Sequence, residues 1–195
     1  SPQGDRIALI TNKRGYFDVV VIDANTGERI KTLIRGEDNV DFEELNILNP
    51  NLTWSPDGRR LAMSTTTQGR SDIALIDYES GRVQKLKFPT LNSIRSVAWS
   101  PDGSKLAFQG TEGSFVNIYV YEMESGDFVN ITNDMFSDSD PEWSNDSQSV
   151  LFTSDRGSRV ELGTYQQDYF MLANPNLKQK DIYMASVDGG RAQRL

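Results

Sequence analysis

The sequence contains neither cysteine nor histidine. Without cysteine there is no disulfide framework, no thiolate nucleophile and no Cys-ligated zinc. Without histidine a Ser-His-Asp triad cannot be assembled from these residues, and no Gly-x-Ser-x-Gly elbow is present to carry its nucleophile. Positive charge is also short, with 20 Lys and Arg against 28 Asp and Glu and a net charge of −8. A surface that tracks phosphates needs clustered Lys and Arg, so nucleic acid is not an expected partner, and anionic membranes are disfavoured. No apolar run is long enough to span a bilayer, so no direct membrane insertion is expected. No stretch keeps a helical period over several turns. The nearest is Asp41–Leu48, with room for one helical turn or two. What is present, 37% hydrophobic and 10% aromatic residues, is enough for a packed interior, so disorder is not expected either.

The interior is written as a repeat. Trp54-Ser55-Pro56-Asp57-Gly58 recurs as Trp99-Ser100-Pro101-Asp102-Gly103 and, altered, as Trp143-Ser144-Asn145-Asp146-Ser147. Ser1-Pro2-Gln3-Gly4 is a fourth copy without its Trp, so the sequence opens inside a repeat and a piece of a longer chain is expected. The serines sit at 1, 55, 100 and 144, in steps of 54, 45 and 44. A period in the forties with a tight-turn signature marks a radial or stacked array. Pro presets φ at the second turn position, Asp hydrogen-bonds its own backbone and Gly takes φ > 0.

Each turn is followed by an apolar strand, a polar loop, a second strand such as Asp72–Asp77 or Asn117–Glu122, a Gly turn and a third strand. A last short strand then leads into the next Trp. Runs of Val, Ile, Tyr and Phe bounded by Gly, Pro, Asn and Asp read as a meander of strands. Four strands per unit, labelled a (with the Trp), b, c and d, make a β-propeller blade. The fold class predicted is all-β, four consecutive antiparallel blades forming an arc of a larger ring. The blades fall at 1–34 (inner strand missing), 50–87, 95–132 and 139–195.

These residues resemble the TolB-type propeller repeat: Trp-Ser-Pro-Asp-Gly, then Lys/Arg-Leu-Ala-Phe/Met, then Asp-Ile-Tyr, then Ser/Asp-Gly-Gly/Arg. The resemblance covers the whole sequence as four copies. It implies a non-catalytic, exported or periplasmic scaffold that binds a protein partner. The same blade is similar to those of tricorn-like and prolyl-oligopeptidase-type serine peptidases, which implies a rival reading. In that reading the chain is a gating propeller whose catalytic domain lies elsewhere. A binder of glycans or small ligands at the ring's mouth is a third.

Two insertions depart from the plain repeat, at 35–49 and at about 158–179. The first joins a d strand to the next a strand, and the second lies between b and c. In antiparallel blades both connections leave from the same end, opposite the Pro-Asp-Gly and Gly-Gly turns. Binding residues sit on loops carried by a rigid scaffold, so this decorated end is the expected interface. Its candidate partner-binding residues are Phe42, Glu43 and Glu44 in the first insertion and Tyr165, Tyr169, Phe170 and Met171 in the second. Tyr, Phe and Met favour interface cores, though packing of each insertion on its own blade is the competing reading.

No catalytic residue, cofactor or metal ligand is assigned, and hydrolase activity of this segment alone is not expected. Asp57, Asp102 and Asp146 recur once per repeat, which suits turns and not a glycosidase acid. Asp18, Asp72, Asn117 and Asp181 open the c strands, where they suit acceptance of loop N–H groups. Asp134, Asp138 and Asp140 alternate as Ca²⁺ ligands can, but no bidentate Glu or loop Gly completes a known pattern, so a solvated turn is read there. An arc leaves apolar end faces and an unpaired edge. Closure is therefore expected from further blades or from a second copy.

Overall fold

The computed structural model describes residues 1–12, 15–36, 44–45, 51–67, 69–156 and 180–195, and their regular structure is strand. The first sheet runs β1 (Arg6–Thr11), β2 (Asp18–Asp23), β3 (Arg29–Ile34). The second joins β4 (Glu44–Leu45), β5 (Leu52–Trp54), β6 (Arg60–Thr67), β7 (Arg70–Asp77) and β8 (Val83–Leu86). The third holds β9 (Ser93–Trp99), β10 (Lys105–Glu112), β11 (Phe115–Glu122) and β12 (Phe128–Asn130). The fourth holds β13 (Asp138–Trp143), β14 (Ser149–Ser154), β15 (Asp181–Ser186) and β16 (Gln193–Arg194). Every pairing is antiparallel. The architecture is four consecutive propeller blades.

In the second and third sheets the strands are apolar on both faces because both faces are covered. In β7, Ile73 and Leu75 enter the core shared with the third sheet, while Ala74 and Ile76 enter the core shared with the first. β10 divides in the same way. Leu106 and Phe108 face the second sheet and Ala107 faces the fourth. Each large aliphatic or aromatic side chain so buried contributes about 1.5–3 kcal/mol, which makes the sheet-to-sheet contacts the main source of stability. The repeat Trp residues sit at these seams. Trp99 is buried between the second and third sheets, and Trp54 and Trp143 pack half-buried against their own cores. Trp143 Nε1 donates to the Ala98 carbonyl at 3.1 Å, tying one inner strand to the next.

The three complete turns share one hydrogen-bond pattern. The Ser Oγ donates to the Asp two residues on, from Ser55 to Asp57, Ser100 to Asp102 and Ser144 to Asp146, each at 2.6 Å. The same oxygen accepts the first strand N–H, from Arg60, Lys105 and Ser149. Gly58 and Gly103 take φ of 68° and 74°, and Ser147 takes 60° in the same place. Ser147 there accepts the Asp102 N–H at 3.2 Å, so consecutive turns touch. Pro56 likewise lies 3.3 Å from where a Cβ on Gly103 would sit.

Hydrogen bonds from the Ser hydroxyls hold the Asp57 and Asp146 carboxyls below the ordinary range. At Asp102 burial opposes the shift, but the Ser100 and Ser104 donors outweigh it and bring the group to about 2. A carboxylate depressed in the folded state contributes stability that is complete above its unfolded pKa, about 3.9, and is lost as pH falls through the folded value. The turns are therefore expected to loosen between about pH 4 and pH 2. The triple variant Asp57→Asn, Asp102→Asn, Asp146→Asn should melt below the parent at pH 6. It should also lose less melting temperature than the parent between pH 6 and pH 2. Parallel profiles would show that the turns do not set the acid limit.

The helical turn expected over Asp41–Leu48 is corrected where that stretch is described: Glu44–Leu45 is strand, pairing with Thr66 and Thr65 of β6. The inner edge of β6 runs past the short β5, and its backbone N–H and C=O groups need strand partners there. β5 and β4 together line the edge that β9 lines alone in the third sheet. Leu45 to Trp54 is nine positions where Ile94 to Trp99 is five. In β9 and β13 that place is a β-bulge, with Ser96 at φ 48° and Asp140 at φ 56°.

Candidate functional site

The antiparallel order puts the b–c loops and d–a connections of each blade at one end and the Ser–Asp turns at the other. At the decorated end Asp18, the first residue of β2, and Asn117, the third of β11, act as loop anchors. Asp18 Oδ1 accepts the Gly36 N–H at 3.2 Å. Asn117 Oδ1 accepts the Thr132 hydroxyl at 3.2 Å and the Asp134 N–H at 3.3 Å. Gly36 and Asp134, in the connections after β3 and β12, are thus bonded back to their own blades.

The same loops present exposed apolar side chains. Tyr16 in the first b–c loop is 49% exposed, Phe115 at the third b–c hairpin 51%, and Met135 in the connection from β12 to β13 54%. The rings and the thioether are apolar, with only the Tyr16 hydroxyl polar, so each is a candidate contact. The repeat obscured them, because each sits in or beside a connection whose length and sequence differ from blade to blade.

The fourth blade carries a buried charge cluster at the root of the second insertion. Arg156 Nη2 lies 2.9 and 2.7 Å from the two oxygens of Asp138 and 3.1 Å from Asp134 Oδ2. Arg156 Nε donates to Ser154 Oγ at 2.9 Å. The guanidinium also lies over Phe136, Phe152 and Tyr183 at 5.0–5.4 Å from the ring centroids. Burial pushes the Asp138 carboxyl up, and the Ser154 hydroxyl and the Arg156 charge pull against it. The solvated turn read over Asp134, Asp138 and Asp140 is corrected here: Asp138 and Asp140 lie in β13, Asp138 is fully buried, and Asp134 and Asp138 share this arginine because a buried carboxylate needs a paired charge. No group of three or more His, Cys, Asp or Glu placed to hold a metal occurs among the described residues. On the other flank of the insertion Lys180 donates to Ser139. Both flanks of residues 157–179 are therefore tied to β13. No motif marked Arg156. The only signal was a cation two positions after an apolar strand, with acidic residues 18 and 22 positions earlier.

Of the sequence-predicted contact residues, Phe42, Glu43, Tyr165, Tyr169, Phe170 and Met171 lie outside the described residues, and Glu44 lies in β4. No helix of the described residues is long and apolar enough to cross a membrane.

Known proteins resemble this chain in fold. TolB from Acinetobacter baumannii matches over 100% of this chain and 41% of its own, at 17% identity and a TM-score of 0.71. A putative TolB from Agrobacterium tumefaciens matches over 100% of this chain and 62% of its own, at 19% identity and a TM-score of 0.70. The chain thus spans less than two thirds of either. The tricorn protease matches over 78% of this chain and 14% of its own, at 21% identity and a TM-score of 0.54. At these identities the likeness is one of fold alone. No curated protein matches. The model of the TolB beta propeller domain matches residues 40–170, which is more than half the sequence and spans the Ser–Asp turns of the second, third and fourth blades. With those turns and the four-stranded meander in place, the chain belongs to the TolB β-propeller family.

Proposed function

We propose that this propeller is a non-catalytic scaffold that binds a protein partner on its decorated end, in an exported or periplasmic setting. The observation that carries the reading is the distribution of exposed apolar residues. Tyr16 and Met135 stand in loops of that end and Phe115 at the first residue of β11 beside them, whereas the opposite end carries internally bonded Ser–Asp turns. Aromatic and Met side chains concentrate where interfaces bury their centres. Phe42, Glu43, Glu44, Tyr165, Tyr169, Phe170 and Met171 extend the proposed surface into the two insertions. The export setting rests on family membership.

The test is photocrosslinking in the source cell. A photoreactive phenylalanine at Phe115 should give one defined protein adduct, and the same probe at Asp127, in a turn of the plain end, should give none. Adducts from Asp127 alone, or from neither position, would sink this reading.

A second reading is favoured by the likeness to the tricorn protease. Here the propeller gates or recruits peptides for a peptidase domain elsewhere in the parent protein. Its distinguishing result is peptidase activity in the parent that loses substrate selectivity, but not turnover of a short peptide, when the decorated end is altered.

A further inference from the structure

One position of the inner strand recurs in three sheets. Leu45 pairs with Thr65, Ile94 with Gly110 and Asp138 with Ser154. Thr65, Gly110 and Ser154 each follow their turn serine by ten residues, so Leu45, Ile94 and Asp138 are register equivalents. The second and third blades thus carry an aliphatic residue where the fourth carries an aspartate. Ile94 and Asp138 are both fully buried. Two residues beyond the b-strand partner stand Thr67, Glu112 and Arg156, so of these three blades the fourth alone supplies a cation there. Replacing a buried ion pair by well-packed apolar residues is often neutral or stabilising, so stability does not account for the exchange. What the pair adds is direction. Arg156 Nη2 reaches Asp134 Oδ2 at 3.1 Å, and its guanidinium lies 5.4 Å from the centre of the Phe136 ring. Asp134 and Phe136 flank Met135, which is 54% exposed in the connection from β12 to β13.

We infer that Arg156 is a positioning residue of the decorated end. By holding Asp134 and Phe136 it sets the direction in which Met135 is offered to the protein partner, and Asp138 is the buried counter-charge that keeps the guanidinium in place. This rests on the reading of that end as a protein-binding surface, and it gives the fourth blade a reason to bury a charge where its neighbours bury none. An aliphatic residue at position 138 would fill the same space. It would leave the connection tied through the main-chain N–H groups that Asn117 and Asp155 accept, with no hold on the side chains of Asp134 and Phe136 from below. A contact residue whose direction is fixed beforehand costs less to order when the partner arrives.

The experiment has one readout without the partner and one with it. The chain has no cysteine, so Met135→Cys gives a single thiol for a nitroxide label, and Asp127→Cys gives a control in a turn of the plain end. Electron paramagnetic resonance spectra of the labelled chain are compared with those of Asp134→Asn and of Arg156→Met with Asp138→Leu. Asp134→Asn removes the charge that Arg156 holds, keeps the acceptor for the Phe136 N–H and leaves the buried pair alone. The label at position 135 should move faster in both variants, and the label at position 127 should not change. If the double variant does not melt cooperatively, Asp134→Asn decides. With a photoreactive phenylalanine at position 135 in the source cell, the adduct yield should fall about two- to tenfold in Asp134→Asn, the cost of ordering one more side chain on binding. Equal spectra at position 135 in the parent and Asp134→Asn overturn the inference. An equal change at position 127, or an undiminished adduct, overturns it too. A parent chain that gives no adduct from position 135 or 115 overturns the partner-binding reading instead, and the spectra still support or overturn the hold of Arg156 on Met135.

Discussion

Arg156→Met is expected to destabilise the chain by about 3–5 kcal/mol, the usual cost of leaving one partner of a buried ion pair uncompensated. The geometry supports the upper part of that range. Asp138 is fully buried, and it takes both of its short contacts from one nitrogen of Arg156. The arginine also fills the space between Phe136, Phe152 and Tyr183. Methionine replaces some of that packing but none of the charge. Replacing both partners, as Arg156→Met with Asp138→Leu, should recover much of the loss, because two apolar groups leave no buried charge to satisfy. Asp134, which is partly exposed, stays in water in either case. Denaturant melts of the two single variants and the double variant read the coupling directly. A single variant costing under about 1 kcal/mol would show that the pair is screened as a surface pair is.

Trp99→Ala should cost a similar amount, about 3–5 kcal/mol, from lost burial and the cavity left between sheets. Trp99 sits in the largest shared core, with the Arg60 guanidinium 5.1 Å over its ring. Its Nε1 is buried and has no hydrogen-bond partner among the described residues, unlike Trp143, whose indole bonds Ala98. Trp99→Phe should therefore retain most of the stability, since it keeps an aromatic ring and removes an unmet donor. A Trp99→Ala variant within roughly 0.5 kcal/mol of the parent in denaturant melts would show that the ring is not core, against the expectation for a buried Trp.

The blade order was legible because the information for it is local. Pro56-Asp57-Gly58 and Pro101-Asp102-Gly103 form their turns from residues within five positions of one another, and Ser55 and Ser100 close them. Asp18 and Asn117 were legible as loop anchors for the same reason, since an acceptor at the start of a strand meets the N–H groups of the connection beside it. Glu44 and Leu45 were not, because nothing within Asp41–Leu48 says that the β6 edge beside it is open.

The sequence by itself determined the number of blades, the turn chemistry and the apolar character of both sheet faces. Each follows from a period of two along a strand or from contacts a few residues apart. Only the tertiary structure decided which acidic residues share Arg156, that Leu45 completes an inner strand, and that Ile7 and Ile182 lie open while Leu61 and Ile73 are buried. These are outcomes of which sheet lies next to which. A side chain's own alternation sets the face it points to, and only the neighbouring blade determines whether that face meets protein or water.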